Sequence, residues 1–291
     1  MGRVTGTRAA RWVVVAALAA LLGGCAAGGE AVSPTTASPV PVSSAGAAYD
    51  PALVSEVYPP TTTPEGAVPV VLVVPGGAWS TADRTGMTPL AKALAAAGFF
   101  TVNASYRAGV DGVHFPVPLQ DVRCAAGYAV AQAIAAGLTP GPVVLVGHSA
   151  GGHLVALAGT SGSALARRCK DAVPTIAGVV GLAGVYDTAG FASFMGEFFG
   201  TPRTQNRTLW DSGDPIHYVE AHTAPSNLRV LLIHGDADAT VPVDQAVAFA
   251  RALRDARMTV TLDVVPAASH MDVIKPEIAA APITAWIRTL T

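Results

Sequence analysis

The sequence predicts an α/β domain, a mostly parallel central sheet with helices packed on both faces. Three observations carry this. Short apolar, β-branched runs alternate with longer segments of helical periodicity, the pattern of repeated strand–helix crossovers. The runs are close to continuously apolar, as strands buried on both faces are. One of them ends in Gly147-His148-Ser149-Ala150-Gly151-Gly152, and a helical pattern follows at once. A serine on such a tight strand–turn–helix junction is left exposed at the carboxyl end of the strand. Bulky neighbours would clash there, and Gly147 and Gly151 remove the clash. Ala150 would offer its backbone N–H at a helix start, where developing negative charge is favoured.

The elements follow in order. Residues 68–74 read as a central strand, and the loop Pro75-Gly76-Gly77-Ala78-Trp79 follows it. A helix is predicted over 89–97, ended by Gly98, then a strand over 99–103. Residues 119–136 form a helix closed by Gly137 and Pro140, residues 143–146 the strand before Ser149, and 151–159 its helix. Two more strands are predicted over 176–182 and 230–233. A helix over 243–256, a strand over 259–265 and a closing helix over 276–290 complete the domain. Between the fourth and fifth of these predicted strands lies a long stretch without a clean period, carrying Phe191, Phe194, Met195, Phe198, Phe199 and Trp210. Connections that long are usually functional or locally structured. Residues 187–226 are therefore read as a small cap that walls the site with apolar side chains, with completion of the core as the other reading.

The domain begins near Tyr49. Ahead of it, Arg3, Arg8 and Arg11 form a basic segment and residues 12–22 an apolar run, shorter than the about 20 residues a spanning helix needs. Leu22-Gly23-Gly24-Cys25 then resembles the bacterial lipobox. That resemblance makes residues 1–24 a signal peptide and Cys25 the lipidated first residue of an exported, membrane-anchored protein. Residues 25–48 are rich in Ala, Pro, Ser, Thr and Gly with almost no charge, too poor in apolar surface to fold, and read as a tether. A net charge of −2 without a basic stripe excludes a nucleic-acid partner.

A serine hydroxyl is a poor nucleophile unless a base takes its proton and a third group orients that base. Downstream, an apolar run opens into His234-Gly235-Asp236-Ala237-Asp238, and the last predicted strand opens into Ser269-His270. Serine, acid and histidine thus occur in the chain order of the α/β-hydrolases. The domain resembles that superfamily, in particular the bacterial carboxylesterases and lipases related to kynurenine formamidase. The matching stretches are Pro75-Gly76-Gly77-Ala78-Trp79, Ser105-Tyr106-Arg107, residues 115–121, residues 147–152, Gly184-Val185-Tyr186-Asp187, residues 234–242 and Ser269-His270.

The resemblance implies an α/β-hydrolase fold, a small-molecule ester as substrate, and neither metal nor organic cofactor. It makes Ser149 the nucleophile, Asp238 the acid and His270 the base, with the N–H groups of Gly77, Ala78 and Ala150 as oxyanion donors. The family's oxyanion loop usually begins His-Gly-Gly, and Pro75 stands here in place of that histidine. The donors are backbone groups, so the loop can still serve. In this fold the helices near Cys124 and Cys169 are neighbours, and an oxidising compartment favours a bridge between them.

Other candidates receive lesser roles. Asp236 rivals Asp238 but more often shapes the turn. The elbow is expected to turn His148 away from the scissile bond, and His153 to pack or line the pocket. His234 reads as a satisfied structural histidine; His114, His217 and His222 lie in loops. Asp121 is expected at a helix start, Arg107 as a buried partner, and Asp187 as a tie for the cap. Asn206-Arg207-Thr208 matches a glycosylation triplet that a bacterial chain would not use.

Overall fold

Val68 to Val74 is buried along its whole length, and so is every residue of the two strands beside it, Phe100–Ala104 and Pro140–His148, except Pro140, Gly141 and Pro142. The computed structural model describes residues 50–62, 65–165 and 169–291. The expected signal peptide, Cys25 and tether lie outside the described residues. In chain order the elements are α1 (Pro51–Val54), β1 (Ser55–Tyr58), β2 (Val68–Val74), α2 (Thr88–Ala96), β3 (Phe100–Ala104), α3 (Val117–Ala135), β4 (Pro140–His148) and α4 (Ala150–Thr160). They continue with β5 (Gly178–Leu182), α5 (Gly196–Phe199), α6 (Arg207–Ser212), α7 (Pro215–Glu220), β6 (Arg229–Gly235), α8 (Asp244–Asp255), β7 (Thr259–Val265) and α9 (Pro276–Ile287).

The seven strands form one sheet in the order β1-β3-β2-β4-β5-β6-β7. All neighbours are parallel except β1, which pairs antiparallel with β3. Alternate side chains of a strand point to opposite faces, so two cores result. Val70, Leu72 and Val74 pack with α3, α4 and α8 on one face. Val71, Val73, Val144 and Val146 pack with α2 and α9 on the other. The register aligns Val74 with Gly147, His148 with Leu182 and Gly235 with Val265. The carboxyl ends of β2, β4, β6 and β7 therefore open on one edge of the sheet, where ligands of open α/β sheets bind.

Three expectations need correction. Strand β1 was not expected; it is only half-buried and lacks a continuous apolar run. Strand β7 lies at the opposite edge and is exposed at every other residue over its first three positions, so it is not a buried strand. The 187–226 segment folds into short helices whose Met195, Phe198, Phe199, Trp210 and Val219 are buried in the larger core. Phe199 stacks on Trp210 at 4.1 Å within the segment, and the tilted packing of Phe198 against Phe115 at 5.1 Å ties it into the domain. A disulfide joins Cys124 of α3 to Cys169, beyond α4. No helix among the described residues is long and apolar enough to cross a membrane.

Candidate active site

Ser149 follows β4 directly and has φ 52° and ψ −118°, a left-handed conformation that costs a non-glycine residue about 1–3 kcal/mol. The surroundings hold it there. Its N–H donates to the Leu182 carbonyl at 2.8 Å and its carbonyl accepts from the His153 N–H at 3.0 Å. A Cβ on Gly147 would stand 2.2 Å from the Gly151 carbonyl oxygen, and one on Gly151 2.4 Å from that of Pro75. Only glycine fits either place. Ala150 opens α4, where first-turn N–H groups have no partner within the helix.

The loop after β2 supplies the facing wall. Gly77, Ala78 and Trp79 have φ of 134°, 52° and 58° in succession. The turn closes as Ser80 and Thr81 N–H groups donate to the Gly77 carbonyl, both at 3.0 Å. Gly109 and Val110 donate in turn to the carbonyls of Trp79 and Ser80. The proline at 75 leaves this backbone geometry in place.

Asp238 and His270 meet across the ends of β6 and β7. His270 Nδ1 donates to Asp238 Oδ2 at 2.7 Å. Asp238 Oδ1 accepts from the N–H groups of Thr240 and Val241 at 2.8 and 2.9 Å. The Asp238 side chain is fully buried, whereas that of His270 is 13% exposed. Burial pushes the Asp238 carboxyl up, but the bonds from His270, Val241 and Thr240 outweigh it and hold the group below the usual carboxylate range. It therefore stays ionised beside the imidazole. Asp236 turns its Oδ1 to the Ala267 N–H at 2.6 Å and ties the base loop down. Asp272 accepts from both the N–H and the hydroxyl of Ser269.

Ser149 and His270 line one open cleft of about 400 Å³, with Pro75, Gly76, Gly77, Ala78, Met87 and Ile274 among its other walls. Residues 187–226 contribute nothing to this lining. The expected aromatic cap wall is thus absent from the cleft: Phe198, Phe199 and Trp210 pack into the core, and Phe194 is exposed. Among the described residues no group of three or more His, Cys, Asp or Glu has the arrangement of a metal site.

His148 has a role that the sequence reading did not assign. It lines the cleft, and its Nε2–H donates to the carbonyl of His270 at 2.9 Å. The two rings lie 4.7 Å apart. Burial, and then the neighbouring His270, push the His148 imidazole down to about 4, so it stays neutral while holding the base loop. Its place just before Ser149 was the available signal; the partner, 122 residues away, has no trace in local sequence. His234 is fully buried and donates from Nε2 to the Val241 carbonyl. That nitrogen also lies 3.3 Å from Asp238 Oδ2, while Nδ1 has no hydrogen-bond partner among the described residues.

The remaining candidates lie elsewhere. Asp121 is not a helix-start residue: it lies inside α3 and grips Arg107 through both carboxylate oxygens at 2.8 Å. His114 donates to the Glu197 carbonyl. Asp187 accepts from the Gly190 N–H within its own turn, at 3.0 Å. Asn206 caps α6 through the Leu209 N–H. His114, His217 and His222 are not among the cleft-lining residues.

The chain is similar to Esterase LipC of Mycobacterium tuberculosis (strain ATCC 25618 / H37Rv), 32% identical over 220 residues, which are 70% of this chain and 53% of that protein. The chain spans about half the length of the curated relatives it matches. Among solved structures, a truncated carbohydrate esterase from gut microbiota superposes with a TM-score of 0.68 at 23% identity, over 81% of this chain and 90% of that one. A thermophilic esterase of Thermogutta terrifontis gives 0.62 at 20% identity, over 81% and 85%. These two share the α/β-hydrolase fold. A family model, BD-FAE, matches residues 56–253, from the edge strand β1 into α8, a span that includes Ser149 and Asp238. Fold and family model agree: the chain belongs to the BD-FAE family, α/β-hydrolase-type esterases.

Proposed function

We propose that the chain is a serine hydrolase of carboxylic esters with short acyl groups, working through an acyl-enzyme. The observation that carries this is the 2.7 Å bond from His270 Nδ1 to a buried Asp238 carboxylate, with the same histidine lining the cleft that holds the strained Ser149. In this mechanism His270 takes the proton of the Ser149 hydroxyl through Nε2 as Oγ attacks the ester carbonyl. Asp238 fixes the Nδ1–H tautomer and stabilises the imidazolium that forms. The N–H groups of Ala150, Gly77 and Ala78 receive the oxyanion. His270 then returns its proton to the leaving alcohol. Water, deprotonated by the same histidine, attacks the acyl-enzyme, releases the acid and restores the serine.

The names of the relatives support ester chemistry, and a cleft of about 400 Å³ walled by Met87 and Ile274 supports a small acyl group. The resemblance to kynurenine formamidase-type esterases makes amides the second substrate class to test. The sequence of the first residues supports a lipid anchor on Cys25 outside the cytoplasm, and the Cys124–Cys169 disulfide suits an oxidising compartment.

The test is hydrolysis of p-nitrophenyl esters from acetate to palmitate by the purified chain, with Ser149→Ala as control and fluorophosphonate labelling in parallel. Expected are labelling and turnover that both vanish in Ser149→Ala, with an optimum at short acyl chains. Labelling without ester turnover would redirect the proposal to amides. Neither, in a folded protein, would leave a ligand-binding lipoprotein.

A further inference from the structure

His153 lies one helical turn beyond Ser149 and is completely buried. Both ring nitrogens are engaged. Nε2 lies 2.8 Å from the Gly213 carbonyl, which can only accept, and Nδ1 lies 3.2 Å from the indole Nε1 of Trp79, which can only donate. The partners therefore fix one neutral tautomer, with the proton on Nε2. Burial, which pushes this imidazole down to about 4, keeps it neutral. Three separate pieces of chain meet at this one side chain. They are the loop after β2, the helix of the elbow, and the 187–226 segment.

Trp79 is the last of three consecutive residues with positive φ. Two of the three carry side chains, so the loop does not hold this conformation by intrinsic preference. Something outside it must, and the Trp79 side chain is the handle. It is 3% exposed, packed edge-on against His153 at 5.4 Å and against Phe198 at 5.8 Å. Its indole N–H has one acceptor, His153.

We propose that the buried chain Trp79–His153–Gly213 positions the oxyanion loop: it clamps Gly77, Ala78 and Trp79 to the elbow helix and makes the 187–226 segment the anchor of that clamp. The proposal rests on the esterase reading and deepens it. It also gives the segment a function in catalysis without a place in the cleft. Trp79 and His153 are positioning residues; neither touches the substrate.

Three variants of the full chain test this: His153→Phe, which keeps an aromatic ring and removes both hydrogen bonds; Trp79→Phe, which removes only the indole donor; and the double variant. The expected result is a loss of kcat on p-nitrophenyl acetate of about tenfold or more in each single variant, with KM changed less than about threefold. The double variant should lose no more than the worse single one, since both cut the same chain. His153→Asn, whose Oδ1 can take the place of Nδ1 as acceptor, should recover most of the lost kcat. If His153→Phe does not fold, Trp79→Phe and His153→Asn carry the test.

Amide hydrogen exchange gives a readout independent of activity. Residues 77–81 should exchange at least about tenfold faster in Trp79→Phe, and residues 266–274 should not. An unchanged kcat, losses that multiply in the double variant, or unchanged exchange of the loop would overturn the proposal. Absence of Ser149-dependent turnover in the unaltered chain would overturn the esterase reading instead, and the exchange measurement would still decide whether the clamp holds the loop.

Discussion

His270 shares a cleft with Ser149 and His153 lies one helical turn beyond it, and under the proposed mechanism the pair shows what separates a proton carrier from a strut. His270 sits on a loop beyond the edge strand and is partly open to the cleft. One of its nitrogens faces an ionised carboxylate, and the proposed mechanism uses the other. His153 has no exposure, and its two nitrogens face a carbonyl and an indole. Neither partner is an anion, so protonation would leave a buried, unpaired charge and break the bond from Trp79. The proposed mechanism has one histidine accept a proton, whereas His153, buried with no anion beside it, is held neutral. His148 belongs with the second kind: buried and neutral, it holds the backbone of the first.

The largest expected effect attacks the anion that makes the difference. Asp238→Asn keeps the shape of the turn but removes the charge beside His270 and disturbs its tautomer. In the proposed mechanism kcat on p-nitrophenyl acetate should fall by about 10³–10⁴-fold, while circular dichroism stays native. The companion Asp236→Asn loses only a loop tie and should fall far less. Equal losses in the two variants would erase the distinction between acid and loop residue.

The second effect is on stability and leaves the cleft alone. The disulfide Cys124–Cys169 closes a separation of 45 residues, worth about 4 kcal/mol by chain entropy. Replacing both cysteines by serine should lower the unfolding free energy in urea by roughly that amount. Ester turnover in the folded population should be unchanged. A loss of kcat at full stability would mean that the α3 side of the sheet tunes the site as well as supporting it.

The comparison also shows which parts were legible in the sequence. Strands β2, β4, β5 and β6 carry the apolar runs that a buried parallel sheet requires, and the turn at Ser149 is readable because its glycines are sterically required. Asp238 and His270 could be found because each follows a strand in a short motif, and chain order then suggests the pairing. What stayed hidden depends on partners far away in sequence. The bond of His148 to His270 and the clamp from Trp79 through His153 to Gly213 have no local pattern. Phe198, Phe199 and Trp210 signalled burial correctly while Phe194 is exposed, and an apolar residue reads the same whether it faces a pocket or a core. Strand β1 was missed because four half-buried residues carry too little periodicity.

The smallest expected effect tests the neutrality of the strut directly. His153 titrates near 6.5 when unfolded and is pushed down to about 4 by burial in the fold. Between those values the unfolded chain binds the extra proton, so stability rises with pH there. The contribution of His153 is complete above about 6.5, declines as the pH falls, and is gone below about 4. It amounts to at most about 3 kcal/mol. Asp214 works in the opposite sense, since burial raises its carboxyl to about 7, and its stabilisation is lost as pH rises through that value. The measurement is therefore a difference: urea unfolding of the native chain and of His153→Asn at pH 7 and pH 4.5. Asn cannot titrate, so the variant should lose less stability on acidification than the native chain. If both lose the same amount, His153 is not held neutral by its burial. The contrast with His270 would then rest on hydrogen-bond partners alone.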